Sequence, residues 1–229
     1  MFKKIEPLNH DDHQALRFAK TDSYDFAREV VSAPLGASEF AMAGRFYPIV
    51  FATDSETPLA IFALGQPPNR FIAENGAWAV PYVPAHIRRY PFILADIQGQ
   101  EEEEAKLALC VDVEAPQFSA GMGEPLFTAN GDPAETTQNA LNFLKNFQAE
   151  LNTTKEAFKE LTEQGLLVDR QVNVERNGEQ IPVAKFRVVD AEKLGALDDA
   201  VLAKWVRNGM IRLIHSHLDS LAHLRSLAS

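Results

Sequence analysis

The chain has a single cysteine among its 229 residues, so Cys110 has no internal disulfide partner and the sequence suits a reducing compartment. Positive charge is scarce as well. Only 22 Lys and Arg stand against 32 Asp and Glu, a formal net charge of −10, and the one dense basic cluster is Arg88-Arg89. A surface that tracks phosphates needs clustered cations to displace counterions, so nucleic acid is excluded as a partner and adsorption to anionic membranes is disfavoured. No apolar run approaches the roughly 20 residues that cross a bilayer. The two lysines near the start are followed by His10, Asp11, Asp12 and His13 rather than by an apolar stretch, so no signal peptide is expected and the expected location is cytoplasmic.

Catalytic and metal-binding patterns are equally sparse. Gly121-Met122-Gly123-Glu124 lacks the lysine and hydroxyl residue of a phosphate loop, and Ser38 does not sit in a Gly-x-Ser-x-Gly elbow. Cys110 lies in the apolar run Leu107–Val113, where a buried inert thiol is expected. On a helix His215 and His217 lie about 200° apart and cannot share an ion, and His223 is also out of register; a contact between His215 and Asp219 remains open. No metal, cofactor or catalytic set is therefore expected.

What is present is an ordinary globular composition, 46% hydrophobic and 24% charged, without repeats or low-complexity linkers. The segment from Ser38 to Leu64 reads as β, with apolar runs after Tyr47 and from Pro58 forming a hairpin covered on both faces. A third strand is expected near Phe71, and Phe92–Ile97 with Leu107–Val113 forms another strand pair around the solvated run Glu101–Glu104. Ala115 to Asp132 reads as loop. Asp132-Pro133 looks like a helix start, and Leu141, Leu144, Phe147 and Leu151 recur at helical spacing. Thr153 or Thr154 is a second cap candidate, so the region is a helix pair or one bent helix, stopped at Gly165. Asn177-Gly178 between two β-rich runs is a strong hairpin signal. From Asp198 to about Leu227 a broad apolar stripe predicts helix, interrupted at Asn208-Gly209. Strands and helices come in separate blocks, so one α+β domain over residues 1–229 is expected, a mainly antiparallel sheet with helices packed on one face or end.

The segment from Trp78 to Phe92 stands apart. Trp78, Tyr82 and Tyr90 are interleaved with Pro81, Pro84 and Pro91 and with His86, Arg88 and Arg89. Proline stiffening lowers the entropy of holding such a segment rigid, and aromatics with arginine are the residue types that anchor binding surfaces. A purely structural use of the same residues, closing one edge of the core, stays open beside the binding use.

Several elements resemble the SapC family: Tyr47-Pro48-Ile49-Val50-Phe51, Leu64-Gly65, Asn69-Arg70-Phe71-Ile72, and above all Trp78 leading into Tyr82–Phe92. Leu126-Phe127 with Gly131, the helix around Thr154 and Phe158, and Gly165-Leu166-Leu167 extend the likeness nearly end to end. The resemblance implies a bacterial protein of about this size, in a family named for association with surface-layer proteins. Some members are encoded beside flavin-dependent halogenases and outer-membrane receptors. It implies no reaction, cofactor or catalytic set.

Two functions from different classes follow. The first is a non-catalytic module that binds a peptide or protein partner through Trp78, Tyr82, His86, Arg88, Arg89 and Tyr90. The second is an enzyme acting on a small molecule or peptide, with a pocket near Glu39, His86 and Arg88. A homo-oligomer joined through the C-terminal apolar helix is a third option.

Overall fold

The structure is a computed structural model that describes residues 1–97, 106–120, 122–176 and 179–228. The expected loop tip at Glu101–Glu104, Gly121 and the Asn177-Gly178 turn lie outside the described residues.

In chain order the strands are β1 (Ile5–Pro7), β2 (Leu16–Phe18), β3 (Ser32–Pro34), β4 (Ile49–Phe51), β5 (Pro58–Ile61), β6 (Phe92–Ile97), β7 (Lys106–Asp112), β8 (Phe118–Ala120), β9 (Glu124–Pro125), β10 (Leu167–Arg176) and β11 (Glu179–Val189). The helices are α1 (His10–His13), α2 (Phe40–Ala43), α3 (Ala85–Arg88), α4 (Glu135–Glu163), α5 (Ala191–Gly195), α6 (Asp199–Asn208), α7 (Met210–Ser220) and α8 (Leu224–Ala228). The fold is α+β, and every strand pairing described is antiparallel.

The largest sheet has the order β10-β11-β4-β5-β3. Its side chains alternate between two apolar layers, as the period-two geometry of strands requires. Ile49 and Phe51 of β4, Ala60 of β5 and Val189 of β11 face one layer, packed by Phe158 and Leu161 of α4, Trp205 of α6 and Met210 and Ile214 of α7. Val50, Ile61, Phe186 and Val188 face the other, which Leu224 and Leu227 of α8 help to cover. This two-sided burial is why the runs at Tyr47 and Pro58 are continuously apolar rather than alternating. A second sheet, β1-β7-β6, packs its Phe92 and Val111 against Leu144 on the N-terminal half of α4. The small sheet β8-β2-β9 adds Phe18 and Phe118 to that core. The Cys110 thiol is 2% exposed, and burial pushes its pKa up, the opposite of what a reactive thiolate needs.

Four local expectations change in the structure. The stretch around Glu39 is a 3-10 turn (Ala37–Glu39) leading into α2, not strand, because its backbone N–H groups find side-chain acceptors: Gly36 on Glu39, Ala37 on Thr154 and Ser38 on Glu150. Phe71–Trp78 makes a single bridge, Ile72 to Trp78, rather than a strand. The segment after Ala115 contains β8 and β9, which need the distant β2 to exist at all. Helix α4 starts at Glu135, since Pro133 is engaged in a bridge with Phe127, and it runs unbroken past Thr153. Thr154 is no cap; it is buried and binds Ala37 instead.

Other punctuation is read as expected. Gly165, at φ 65°, ends α4 with its N–H on Thr162 while the Leu166 N–H returns to Leu161, a Schellman closure. Gly209, at φ 84°, separates α6 from α7.

Candidate functional site

The residues singled out from Trp78 to Phe92 divide into a half that points inward and a half that lines a cleft. The inward half is a closed hydrogen-bond network. The Trp78 indole N–H donates to the Tyr47 hydroxyl at 2.7 Å, and that hydroxyl donates to the Tyr82 carbonyl. The Tyr82 hydroxyl donates at 2.8 Å to Glu39 Oε1, which also accepts the Ala85 N–H at 2.8 Å. Glu39 Oε2 takes the Gly36 N–H at 3.0 Å. A carboxylate only 6% exposed thus has three donors, which is what makes its burial tolerable. Burial, and then the adjacent Glu39 charge, pushes the Tyr82 hydroxyl well above the usual tyrosine range.

This network fixes Pro84 and Ala85, and so the start of α3. The Ile87 and Arg88 N–H groups return to the Pro84 carbonyl, Ile87 is fully buried, and Arg88 turns outward. His86 lies beside Phe147 of α4, with ring centroids 6.4 Å apart. Burial, with the neighbouring Arg89 charge, holds its pKa down at about 3, so it is neutral at pH 7.

The outward half, Arg88, Arg89, Tyr90 and Phe92, forms one wall of a cleft of ≈ 510 Å³. The opposite wall is the first turns of α4, with Thr136, Asn139, Ala140, Phe143 and Leu144; Phe18, Lys20 and Glu124 close the ends. A second cleft of ≈ 310 Å³ adjoins it, sharing Phe18, Lys20, Arg88 and Tyr90 and reaching Asp22 and Gln117. Tyr90 is clamped from several sides. Phe26 stacks on it at 4.1 Å, Phe2 meets its edge at 5.2 Å, and its hydroxyl donates to Asp112 at 3.0 Å. Asp112 also accepts the Lys3, Lys4 and Glu114 N–H groups; although burial opposes it, these bonds hold its carboxyl below the usual range.

The polar groups of this cleft are not closed in the same way. The Arg88 guanidinium donates to the Val83 carbonyl at 2.9 Å and lies 5.5 Å from the Phe143 ring centre. The Arg89 guanidinium lies 5.5 Å from the Phe2 ring centre, and its Nε is buried without a hydrogen-bond partner. Burial lowers the Arg89 pKa, though an arginine stays charged. Gln117 is 4% exposed and its Oε1 likewise has no partner. Among the described residues, Lys20, Arg88 and Arg89 make no ion pair. Glu124, the acid on the rim of the larger cleft, accepts from the Thr136 hydroxyl at 2.7 Å.

Of the residues picked from the sequence, the structure brings Arg88, Arg89 and Tyr90 to the cleft and turns Trp78, Tyr82 and His86 to other contacts. Glu39 and His86 are not among the residues lining the cleft that Arg88 lines. Lys20, Gln117 and Phe143 carried no sequence signal, because each lies at least 25 residues from the Trp78–Phe92 segment in the chain and only tertiary packing joins them.

The C-terminal histidines also separate. His217 is fully buried, accepting the Val189 N–H at Nε2 (3.0 Å), with Nδ1 2.7 Å from the Ile49 carbonyl, so it staples β11 to β4. Among the described residues no group of three or more His, Cys, Asp or Glu is arranged to hold a metal ion, and no helix is long and apolar enough to cross a membrane.

No curated protein and no solved structure matches the chain. The likeness seen at Tyr47–Phe51 and Tyr82–Phe92 has a counterpart on the scale of the whole chain: the SapC family model matches residues 8–227, and the chain belongs to the SapC family.

Proposed function

We propose that this protein is a non-catalytic binding module, a single α+β domain, that receives a peptide or protein partner at the cleft beside Arg88, Arg89 and Tyr90. The observation that carries the reading is the polarity of that cleft. Three cations without acidic partners among the described residues gather on one site of a chain whose net charge is −10. Arg88 has the Val83 carbonyl but no carboxylate, and a concave site with apolar walls and a few convergent polar groups is how ligands are held. Arginine and aromatics are also the usual anchors of binding surfaces. The single-domain reading is supported by α4, whose Leu144 packs in one core and Phe158 and Leu161 in another.

The enzyme reading draws less support. Glu39 is committed to three donors, His86 is beside Phe147, and neither shares the cleft with Arg88. An oligomer through the C-terminal stripe is also less supported, since Trp205, Met210 and Ile214 of that stripe are spent within the chain. A cytoplasmic setting accords with Cys110 being a free, buried thiol.

Affinity capture from cells tests the binding reading, comparing wild type with Arg88→Ala and with Val206→Asp, a change at an exposed site on α6 away from the cleft. A partner kept by wild type and Val206→Asp but lost by Arg88→Ala is the expected result. Identical partner sets for all three chains overturn it.

A further inference from the structure

We infer that β6 is the edge on which a second copy of this chain pairs, antiparallel and two-fold about Leu94, joining the β1-β7-β6 sheets of two molecules into one of six strands. The inference goes beyond the binding reading above, because it stands on a strand edge and not on the cleft.

A strand at the margin of a sheet offers a row of unpaired N–H and C=O groups, and folded chains blunt such rows with proline, charge or brevity. Among the described residues the three sheets have six margins, and five are blunted in that way. β1, β3 and β9 carry Pro7, Pro34 and Pro125, β8 is three residues long, and β10 carries Asp169 and Arg170 side by side. β6 differs. Its six residues, Phe92-Ile93-Leu94-Ala95-Asp96-Ile97, hold one charge and no proline, and they pair with β7 in an unbroken register.

The free groups of β6 follow from that register. The Asp112 N–H donates to the Pro91 carbonyl at 3.0 Å, so the β6 residues that go on to bond with β7 are Ile93 and Ala95. The alternation of an antiparallel pair turns the N–H and C=O groups of Leu94 and Asp96 to the opposite side, where no strand lies among the described residues. Phe92 obeys the same rule. Its N–H points away from β7 and is taken by the Arg89 carbonyl at 2.8 Å, which leaves its C=O. Asp96 is exposed, and Leu94 and Ala95 are half-buried.

A two-fold axis at Leu94 uses all three residues. Leu94 exchanges two bonds with Leu94 of the second copy, and each Asp96 N–H donates to the Phe92 carbonyl across the axis. Directly opposed residues share a face, so Ile93 meets Ala95 of the second copy on one face, apolar against apolar. On the other face Asp96 of the second copy lies beside Phe92, with Cβ atoms about 5 Å apart. Phe92 lines the cleft that holds Lys20, Arg88 and Arg89, and none of these cations has an ion pair among the described residues. The acid already on that cleft, Glu124, accepts from the Thr136 hydroxyl at 2.7 Å. Each copy thus brings a carboxylate to the cleft side of the other's β6. This charge match is what favours a second copy over an unrelated strand.

Strand pairing of this length sits near the low end of specific interfaces, roughly 1,200 Å² in total, so a dimer with a micromolar Kd is expected. Sedimentation velocity across the micromolar range should show monomer passing to dimer as concentration rises. Amide hydrogen exchange over the same range locates the contact: the Leu94 and Asp96 amides slow at least tenfold as the dimer fills, while the Gln171 amide on β10 does not change. Asp96→Lys weakens the dimer at least tenfold, whereas Asp54→Lys, the same charge change at an exposed site in the β4–β5 turn, leaves it unaltered. A chain that stays monomeric throughout overturns the proposal. So does a dimer that leaves Leu94 and Asp96 unprotected, or one that tolerates Asp96→Lys as well as Asp54→Lys. Capture of a different protein through Arg88 is read independently of these outcomes, so the dimer and the cleft reading fail separately.

Discussion

Two polar regions lie within a few residues of each other on the Trp78–Phe92 segment and behave in opposite ways. Around Glu39 every polar group identified has a partner: indole, two tyrosine hydroxyls, two backbone N–H groups and a carboxylate form a closed set. Beyond it, Arg89 Nε and, from a segment distant in the chain, Gln117 Oε1 are the buried side-chain polar atoms without partners among the described residues, and both belong to residues lining the joined clefts. A buried polar group that is satisfied holds the fold in one arrangement, whereas one left unsatisfied costs stability and persists where something else is gained. The contrast ties stability to the first region, and the proposed binding role rests on the second.

The largest expected effect strikes the closed region. Glu39→Ala strands three donors at once and is expected to cost about 3–5 kcal/mol in urea unfolding; a loss below 1 kcal/mol would erase the distinction between the regions.

Next comes acid. Burial holds the His217 pKa down to about 4, against 6.5 in the unfolded chain, so between these values the unfolded state binds a proton that the folded state refuses. Stability is therefore whole above pH 6.5 and falls as pH drops toward 4, by up to about 3 kcal/mol from this residue. His86, kept neutral for the same reason, adds to the slope. The urea midpoint followed from pH 7 to 4.5 should fall steadily, and His217→Asn, though less stable at pH 7, should show roughly half the slope.

A smaller loss is expected for Tyr47→Phe, about 1–2 kcal/mol, because Trp78 and the Tyr82 carbonyl each lose one partner while the ring packing is retained. The smallest effect belongs to the open region. Arg89→Met should be neutral or stabilising by up to about 1 kcal/mol, since it removes a half-buried cation that satisfies no acceptor. A clear destabilisation, measured by the same unfolding experiment, would show that Arg89 belongs with the closed set.

Much of this could be read from the chain itself, for identifiable reasons. The β4–β5 hairpin, the β6–β7 pair, the long β10–β11 pair and the break at Gly209 follow from local signals: continuous apolar runs, a glycine and a helical stripe. The elements that escaped are those that exist only through distant partners. β8 and β9 pair with β2 across about 100 residues, and the turn at Ala37–Glu39 depends on Thr154 and Glu150 from α4. The site shows the same split. Arg88, Arg89 and Tyr90 stand out by composition, but nothing about Gln117 or Phe143 in isolation marks them as the opposite wall. Nor could the sequence separate Tyr82 from Tyr90: one is tied inward to Glu39 and the other lines the cleft, a difference made by one turn of α3.

Helix α4 gives the cleft a mechanical setting. Its 29 residues make a beam about 44 Å long, with Asn139 and Phe143 at one end on the cleft and Phe158 and Leu161 at the other, seated in the main core. Such a beam pivots as a whole more readily than it bends. Any ligand that displaces the Asn139–Phe143 end of the helix therefore works against the packing of Phe158 and Leu161 at the other.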